Sequence, residues 1–358
     1  MPDDRAGTPE RRGRTPADDR GAGPTRRAVV AGAAGGALTI AAPTVLRAAG
    51  PRYRIFQILF RGPTDVERGF ADYLRSRRID AEYIVRSAER DPARVPAFVA
   101  EGKALGPDLW YTWGTPVSIA TFGRWDTPDP AAHVVDRPGV FSLVSTPVES
   151  GVVPSLERPD RNITGVFHIV PIPAQIRFMR SYRPFDRLGM IYNPIEQNSV
   201  GQVRQVEALQ QEMGFVLLER PFPLGDDGLP IGAALPEMLA SLKRDGAECL
   251  LLPADTFIGS LAQEIRAATI AEGLLPFAFT EFSIRSGIGA AGIVARYYML
   301  GQLNGSKAER ILRDGVWPGD IPVDTLSRFS LIINVAFAAE LGMYPPLAMI
   351  DNAEIIHV

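Results

Sequence analysis

From residue 52 onward, short apolar runs rich in branched and aromatic side chains alternate with runs whose apolar residues recur at helical spacing. The strand-like runs of this first series are residues 52–60, 79–85, 108–112 and 140–144. Its helix candidates are residues 66–77, 92–101 and 116–122. In the first of these helices, Val66, Phe70 and Leu74 share one face. Alternating strands and helices predict a parallel sheet with helices on its faces.

A second series of the same kind follows residues 162–165. Its strands are predicted at residues 188–192, 216–218, 249–252 and 277–280, and its helices at 174–180, 202–212, 235–243 and 258–272. A last part adds strand, helix, strand and helix, at residues 290–295, 298–313 and 330–341. No sequence repeat relates the two series. A single hydrophobic core rarely grows beyond about 250–300 residues, so the 358-residue chain is predicted to form an α/β protein with two similar lobes.

The first fifty residues differ from the rest of the chain. Residues 2–25 are polar, charged and rich in Pro, Gly and Arg, which predicts disorder. Arg26 and Arg27 then precede a charge-free stretch, residues 28–46, an order typical of an export signal of the twin-arginine kind. The alternative is an uncleaved membrane anchor, although Ala and Gly dominate this stretch and Pro43 interrupts it. No cysteine follows the stretch closely, which excludes a lipoprotein anchor.

Charge and cysteine content narrow the function classes. Residues 1–50 hold eight arginines and five acids, so the remaining chain has 30 basic against 36 acidic residues and a formal charge of −6. An acidic chain argues against nucleic-acid binding, which normally needs a basic face. The single cysteine, Cys249, lies in a strand-like run and is interpreted as a small buried hydrophobe. One cysteine forms neither an intramolecular disulfide nor a thiolate metal cluster.

The sequence carries no recognisable catalytic constellation. His133, His168 and His357 are far apart, and neither H-E-x-x-H, G-x-S-x-G nor a P-loop occurs. Residues 287–292 match G-x-G-x-x-G, but they run into a predicted strand instead of opening a helix, so they do not indicate a nucleotide site. We expect no catalytic residue, no metal and no cofactor, and we interpret His168 as an ordinary polar residue.

Polar side chains collect in the loops that follow the predicted strands. In doubly wound lobes such loops gather at one edge of the sheet, and the facing edges of two lobes form a cleft that can bind a ligand. The competing interpretation of each polar residue is a helix cap, and both can hold for residues 192–200, YNPIEQNSV. The candidate ligand-binding residues are Arg61, Thr115, Ser145, Thr146, Asn193, Glu196, Asn198, Ser199, Asp255, Thr256, Glu281 and Tyr297. Candidates for aromatic walls are Trp110, Trp113, Phe282, Tyr297 and Tyr298.

Several motifs occur in the order and at the spacing of a known family. Residues 107–116, PDLWYTWGTP, resemble its "PDLI…ATP" segment, and residues 140–148, VFSLVSTPV, resemble "VVFSAVTDPV". Further similar segments are LERPDRNITGV at 156–166 to "LEKPGGNVTGV", IYNPIEQNS at 191–199 to "LYNPGEANS", LPADT at 252–256 to "VPTDN", and RYYMLG at 296–301 to "DYYDLG". Over residues 53–345 the chain therefore resembles the ABC-transporter substrate-binding proteins of the tryptophan/tyrosine-binding type.

That resemblance implies a type I periplasmic binding protein fold, with two doubly wound Rossmann-like lobes joined by a hinge. We place lobe 1 at residues 51–165 plus 290–318, and lobe 2 at residues 166–289 plus 319–358. The family's cleft residues would fall on Thr115, Ser145, Asn193, Glu196, Asn198, Ser199, Asp255, Thr256 and Tyr297.

The chain also departs from the family pattern. Thr146 stands where the family often has Asp, Arg61 lies in a loop unlike the family's, and residues 280–282 replace an Asp-containing stretch. These departures change the charge pattern on which amino-acid specificity rests. Arg61 is a candidate for binding an anionic group, although an arginine in a loop is often simply solvated.

The implied function is that of an exported binding protein of an ABC importer. It would trap a small polar ligand, such as an amino acid or a related carboxylate, and deliver it to a permease in the membrane. Glu196, Asp255 or Glu281 could pair with a ligand ammonium. Thr115, Ser145 and helix N-termini could hold a carboxylate. We expect a monomer. The same fold would also serve a ligand-sensing partner of a membrane receptor, or an enzyme.

Overall fold

The computed structural model describes residues 52–358, and its first sheet contains five parallel strands. Their order across the sheet is β2-β1-β3-β4-β5. The central strands are continuous apolar runs because helices cover both faces of a parallel sheet; all five residues of the third strand, LWYTW, are buried. The strands are β1 (Tyr53–Leu59), β2 (Ala81–Ser87), β3 (Leu109–Trp113), β4 (Gly139–Ser142) and β5 (Ile163–Gly165).

The second sheet contains seven strands in the order β12-β11-β10-β9-β8-β6-β7. β10 and β11 pair antiparallel, and the other neighbouring strands pair parallel. Read from β7 to β10, the strands have the same order as the first sheet, which is a repeat of topology that the sequence conceals. The strands are β6 (Arg187–Tyr192), β7 (Val216–Pro221), β8 (Cys249–Leu252), β9 (Leu275–Ala278), β10 (Ala291–Val294), β11 (Ser330–Asn334) and β12 (Ala353–Ile356).

Helices connect the strands and pack on the two sheets. They are α1 (Asp65–Ser76), α2 (Val95–Leu105), α3 (Thr115–Phe122), α4 (Ile172–Tyr182), α5 (Gln197–Ala208), α6 (Gln210–Met213), α7 (Leu235–Arg244), α8 (Ala262–Glu272), α9 (Glu281–Arg285), α10 (Tyr297–Leu312), α11 (Val335–Glu340) and α12 (Leu347–Ile350). α1 begins with a capping box in which Thr64 and Glu67 exchange hydrogen bonds. The structure thus confirms the predicted α/β class with two parallel-sheet lobes.

The sequence-based elements lack two strands, β5 and β12, and two helices, α9 and α12. Each of these has five residues or fewer, which leaves little room for a periodic pattern. Cys249 is buried in β8, as predicted. Within residues 52–358, no helix combines the length and the apolar character needed to cross a membrane. The expected disordered N-terminus and export signal, at residues 1–50, lie outside the described residues.

The chain passes between the two sheets later than the sequence suggested. Residues 290–294 were assigned to lobe 1, but Ala291–Val294 pair with β9 and β11 of the second sheet. Ile321 and Val323 pack in the hydrophobic core of the first sheet, although residues from 319 were assigned to lobe 2. Both positions depend on contacts between distant parts of the chain. We therefore propose lobe bounds of 52–165 plus 295–324, and 166–294 plus 325–358.

The returning helix α10 packs against α1 with its backbone in direct contact. A Cβ atom at Gly69 would collide with the carbonyl oxygen of Tyr298, and one at Gly301 would collide with that of Val66. Glycine is therefore required on both sides of the crossing, because any larger residue would force the helices apart. Further along α10, Asn304 donates to the carbonyl oxygen of Phe141 at 3.2 Å, which fixes the helix over β4.

We predict that Gly301→Ala destabilises the protein. Alanine favours helix formation by about 1 kcal/mol, but an added methyl group in a closely packed contact costs about 1–3 kcal/mol. The clash is with backbone, which has little freedom to move, so we expect a cost in the upper part of that range, about 2–3 kcal/mol. After the gain in helix propensity, the free energy of unfolding should fall by about 1–2 kcal/mol in urea titrations followed by circular dichroism. The matched control is Met299→Ala, at a half-exposed position of the same helix. Unchanged stability of Gly301→Ala would contradict the close contact.

Candidate ligand-binding site

Loops from the carboxyl ends of both sheets surround one cavity, called the central cavity here. Together with its open mouth, it encloses about 610 Å³ of space. The first sheet contributes Phe60, Arg61, Trp113, Thr115, Leu143 and Ser145, among others. The second sheet and α10 contribute Glu196, Asn198, Asp255, Thr256, Thr280, Phe282, Ser283 and Tyr297. Gly114, with φ of 89°, allows the sharp turn from β3 into α3 at the cavity wall.

The structure brings eight of the twelve candidate residues to the central cavity. These eight are Arg61, Thr115, Ser145, Glu196, Asn198, Asp255, Thr256 and Tyr297. They come from loops separated by up to about 240 residues of sequence. What unites them is their position at or just after strand ends, where parallel topology gathers loops.

The other four candidates lie beside the central cavity and support its walls. Thr146 faces α5 at Gly201, and Asn193 lines an adjoining groove. The Ser199 hydroxyl donates to Asp255 Oδ2 at 2.6 Å. Glu281 Oε2 accepts the backbone N–H of Tyr297 at 2.6 Å.

Glu281 is held by cations of the protein itself. Its Oε1 pairs with Arg285 at 2.8 Å and with Arg296 at 3.2 Å. The carboxylate thus anchors the start of α10, and the suggested pairing of Glu281 with a ligand ammonium finds no support in its position.

Asp255 is the centre of a buried hydrogen-bond network. Besides Ser199, the backbone N–H of Asn193 donates to Oδ2 at 2.8 Å, and that of Ile258 donates to Oδ1 at 2.9 Å. Burial raises the pKa of this carboxyl group. Three donors thus bind its two oxygens. Because Asn193 and Ser199 follow β6, and Asp255 itself follows β8, this carboxyl group connects the loops after these two strands.

Glu196 makes a second connection between the same two loops. Its carboxyl oxygens accept the Thr256 N–H at 3.0 Å and the Thr256 hydroxyl at 2.7 Å, and Asn198 Nδ2 donates to it at 3.1 Å. Burial and the charge of Asp255 raise the pKa of Glu196 to about 8. Asn198 also donates to the Ala254 carbonyl at 2.5 Å, while its own Oδ1 has no partner among residues 52–358.

Aromatic rings from both lobes enclose the side chain of Arg61. Its guanidinium carbon lies 3.6 Å from the ring centre of Phe282 and 4.8 Å from that of Trp113. Burial lowers the pKa of Arg61, and the neighbouring Tyr297 hydroxyl opposes this shift. Of the aromatic candidates, Trp113, Phe282 and Tyr297 therefore line the cavity. Trp110 instead packs on Phe56 in the core of lobe 1.

Tyr298, the remaining aromatic candidate, lies at the α1–α10 contact. Its hydroxyl donates to Asp72 at 3.2 Å, and Arg68 lies over its ring. Because consecutive helix residues point about 100° apart, Tyr297 faces the cavity and Tyr298 faces α1.

The family comparison agrees with this architecture. Residues 63–354 match the family model described as ABC transporter substrate binding protein. The chain belongs to this family. A tyrosine-binding protein of Clostridioides difficile (strain R20291) is 29% identical over 252 residues, covering 70% of this chain and 67% of its own.

Solved structures share the fold of this substrate-binding protein at low sequence identity. An ABC domain in complex with L-Trp from Streptococcus pneumonia has a TM-score of 0.70 at 20% identity, covering 86% of this chain and 100% of its own. A ligand-free, open substrate-binding protein with adhesive properties from Clostridium difficile has a TM-score of 0.66 at 21% identity, covering 86% and 99%. A conserved domain protein from Vibrio cholerae reaches 0.72 at 20% identity, covering 85% and 99%.

His168 belongs to the central cavity, although the sequence predicts only an ordinary polar residue at this position. It follows β5, lines the central cavity and lies edge-on to the ring of Tyr297. Burial and the nearby Arg61 lower its pKa to about 3. Its Nδ1 has no hydrogen-bond partner among the described residues. The imidazole of this substrate-binding protein is therefore neutral at physiological pH. Its place at the end of a strand is not visible in the sequence, because β5 has only three residues.

Three further residues of the cavity wall, Phe60, Leu143 and Ser283, are absent from the sequence-based candidates. Their residue types are common in hydrophobic cores and helix caps, so the type alone does not indicate a binding site. Across residues 52–358, no three His, Cys, Asp or Glu side chains come together as a metal site would require.

We predict that His168→Gln makes stability less sensitive to acid. The pKa of His168 is about 3 in the folded protein and about 6.5 in the unfolded chain. Below about pH 6.5 only the unfolded chain binds this proton, so folding stability falls as pH drops from about 6.5 towards 3. Glutamine should remove about 2–3 kcal/mol of that loss at about pH 4.5, measured by urea unfolding. The exposed His357→Gln should leave the wild-type profile unchanged. Parallel profiles for wild type and His168→Gln would refute the assignment.

We predict that Asp255→Asn destabilises the protein, because an amide group would present an NH2 to a site filled by donors. The loss should be about 1.5–3 kcal/mol, as for hydrogen bonds to a charged group, measured by urea unfolding at neutral pH. Asp226→Asn, in an exposed loop, is the matched control. Equal stability of the two variants would show that the network around Asp255 is dispensable.

Proposed function

We propose that this protein is the extracytoplasmic binding component of an ABC importer and traps a small polar ligand in the central cavity. The observation that carries the proposal is that this one cavity is lined from both sheets. Closure on a ligand requires contacts that both lobes make better in the closed state. The order of charges in residues 1–50, beyond the described part of the chain, supports export.

The two walls suit different parts of a ligand. Thr115 opens α3 with no side-chain cap on its first turn, and Ser145 lies close by in the lobe 1 wall. Hydroxyls and helix N–H groups of this kind bind carboxylates. Asn198 and Thr256, in the lobe 2 wall, offer polar contacts to the rest of the molecule. We therefore infer a ligand that carries a carboxylate, in keeping with the amino acids named for two of the similar proteins.

Delivery requires a partner in the membrane. We propose that the protein acts as a monomer and hands its ligand to a permease with an associated ATPase. A ligand-sensing role would use the same closure without transport, and an enzyme would change the bound compound. Loss of uptake of the identified ligand on deletion of this protein, together with recovery of unchanged ligand from it, would separate transport from both alternatives.

The proposal predicts ligand-dependent stabilisation and compaction. The full chain, stripped of ligand by unfolding and refolding, should show a concentration-dependent rise in melting temperature with one class among amino acids, carboxylates and purines. Small-angle scattering should show a smaller radius of gyration with that ligand. Ser145→Ala should weaken binding about tenfold or more through the lost hydrogen bond to a charged group. Thr127→Val, in an exposed loop, should bind as wild type does. Binding without compaction would count against closure between the lobes.

A further inference from the structure

The most unusual feature of the central cavity is a cation without a counter-ion. Arg61 offers five N–H donors, and Phe282 and Trp113 cover its guanidinium from opposite lobes. Within residues 52–358, none of the ion pairs includes Arg61. The nearby carboxylate of Glu281 pairs with Arg285 and Arg296 instead. A largely buried charge left unpaired costs several kcal/mol. A ligand anion would remove that cost.

Glu67, another carboxyl group near Arg61, is also engaged elsewhere. The hydroxyls of Tyr111 and Thr64 donate to it, and burial raises its pKa. Its oxygens are thus held by hydroxyl donors of the protein, and among residues 52–358 it forms no ion pair with Arg61.

The acids of the opposite wall are poor partners for a ligand ammonium. The oxygens of Glu196 accept from Thr256 and Asn198, and those of Asp255 accept three donors of the protein. Glu196 keeps its proton at neutral pH and carries no charge for an ammonium, and both oxygens of Asp255 already accept hydrogen bonds from the protein before a ligand arrives. The acceptor left open in this wall is the neutral Asn198 Oδ1, which is buried and without a partner in the described chain. A neutral amide oxygen suits a hydroxyl group better than it compensates a cation.

From these contacts we infer that the ligand is a small organic acid with a hydroxyl group and no ammonium, and that Arg61 binds its carboxylate. The inference rests on the proposed function of the central cavity. Arginine is suited to this role because its planar fork binds a carboxylate through two hydrogen bonds while its faces stack on aromatic rings. The uncapped first turn of the eight-residue α3 adds positive potential at the same wall.

The test compares ligands that differ in one group. Isothermal titration of the full chain would use 3-phenyllactate, phenylalanine and 2-phenylethylamine, together with the smaller pair lactate and alanine. The hydroxy acid of a series should bind, the amino acid should bind at least about tenfold more weakly, and the amine should not bind. Tighter binding of an amino acid, with compaction of the protein, would overturn this inference and leave the proposed function intact. Absence of binding by any of these compounds and by the wider screen would overturn both.

Variants at Arg61 test the role of its charge and shape. Arg61→Gln should weaken binding of the hydroxy acid by about 30-fold or more, as expected for truncating one partner of a buried charge pair. Arg61→Lys should recover part of the affinity, because a lysine keeps the charge but loses the two-point contact. Arg68→Gln is the control, since Arg68 also lies over an aromatic ring in lobe 1, at Tyr298, but outside the cavity. Equal affinity of Arg61→Gln and Arg68→Gln for the hydroxy acid would refute the assignment.

Discussion

The direct backbone contact between α1 and α10 is the constraint on which the site depends. Gly69 and Gly301 let the two helices approach until carbonyl oxygens fill the space that side chains would take. This contact fixes α10 on lobe 1, although the strand before it belongs to lobe 2. Tyr297 therefore enters the cavity from the first residue of a helix that lobe 1 holds, while Glu281 of lobe 2 accepts its backbone N–H. The position of Tyr297 in the cavity is therefore set by the α1–α10 contact, which lies about 15 Å or less away along α10.

Much of the architecture follows from local rules. Alternating apolar periods predicted the α/β class, and parallel topology predicted that strand-end loops would meet, which is why Thr115, Ser145 and Thr256 lie around one cavity. Neither inference needs knowledge of which loops become neighbours, because every parallel strand delivers its loop to the same edge.

The partners of the acidic residues could not be predicted, because they are contacts between distant parts of the chain that no local sequence pattern shows. Asp255 reads in the sequence as a free cleft acid, yet its oxygens are occupied by donors about 60 residues away. Glu281 reads the same way, but arginines on α9 and before α10 compensate its charge. The sequence shows residue types at strand ends. It does not show which of their hydrogen bonds the protein itself already satisfies, and this decides whether an acid faces a ligand or supports a loop.

The connection of Glu196 with Thr256, and of Asp255 with the loop after β6, has a consequence for kinetics. Because these side chains are already ordered, the lobe 2 wall is preorganised, and a ligand does not have to supply about 0.5–1.5 kcal/mol for each side chain it would otherwise immobilise. In the proposed closure, rearrangement is then concentrated in the relative movement of the lobes. The residence time of a bound molecule would follow the rate at which the lobes open, so that a single rigid wall would combine tight capture with release controlled from outside the cavity.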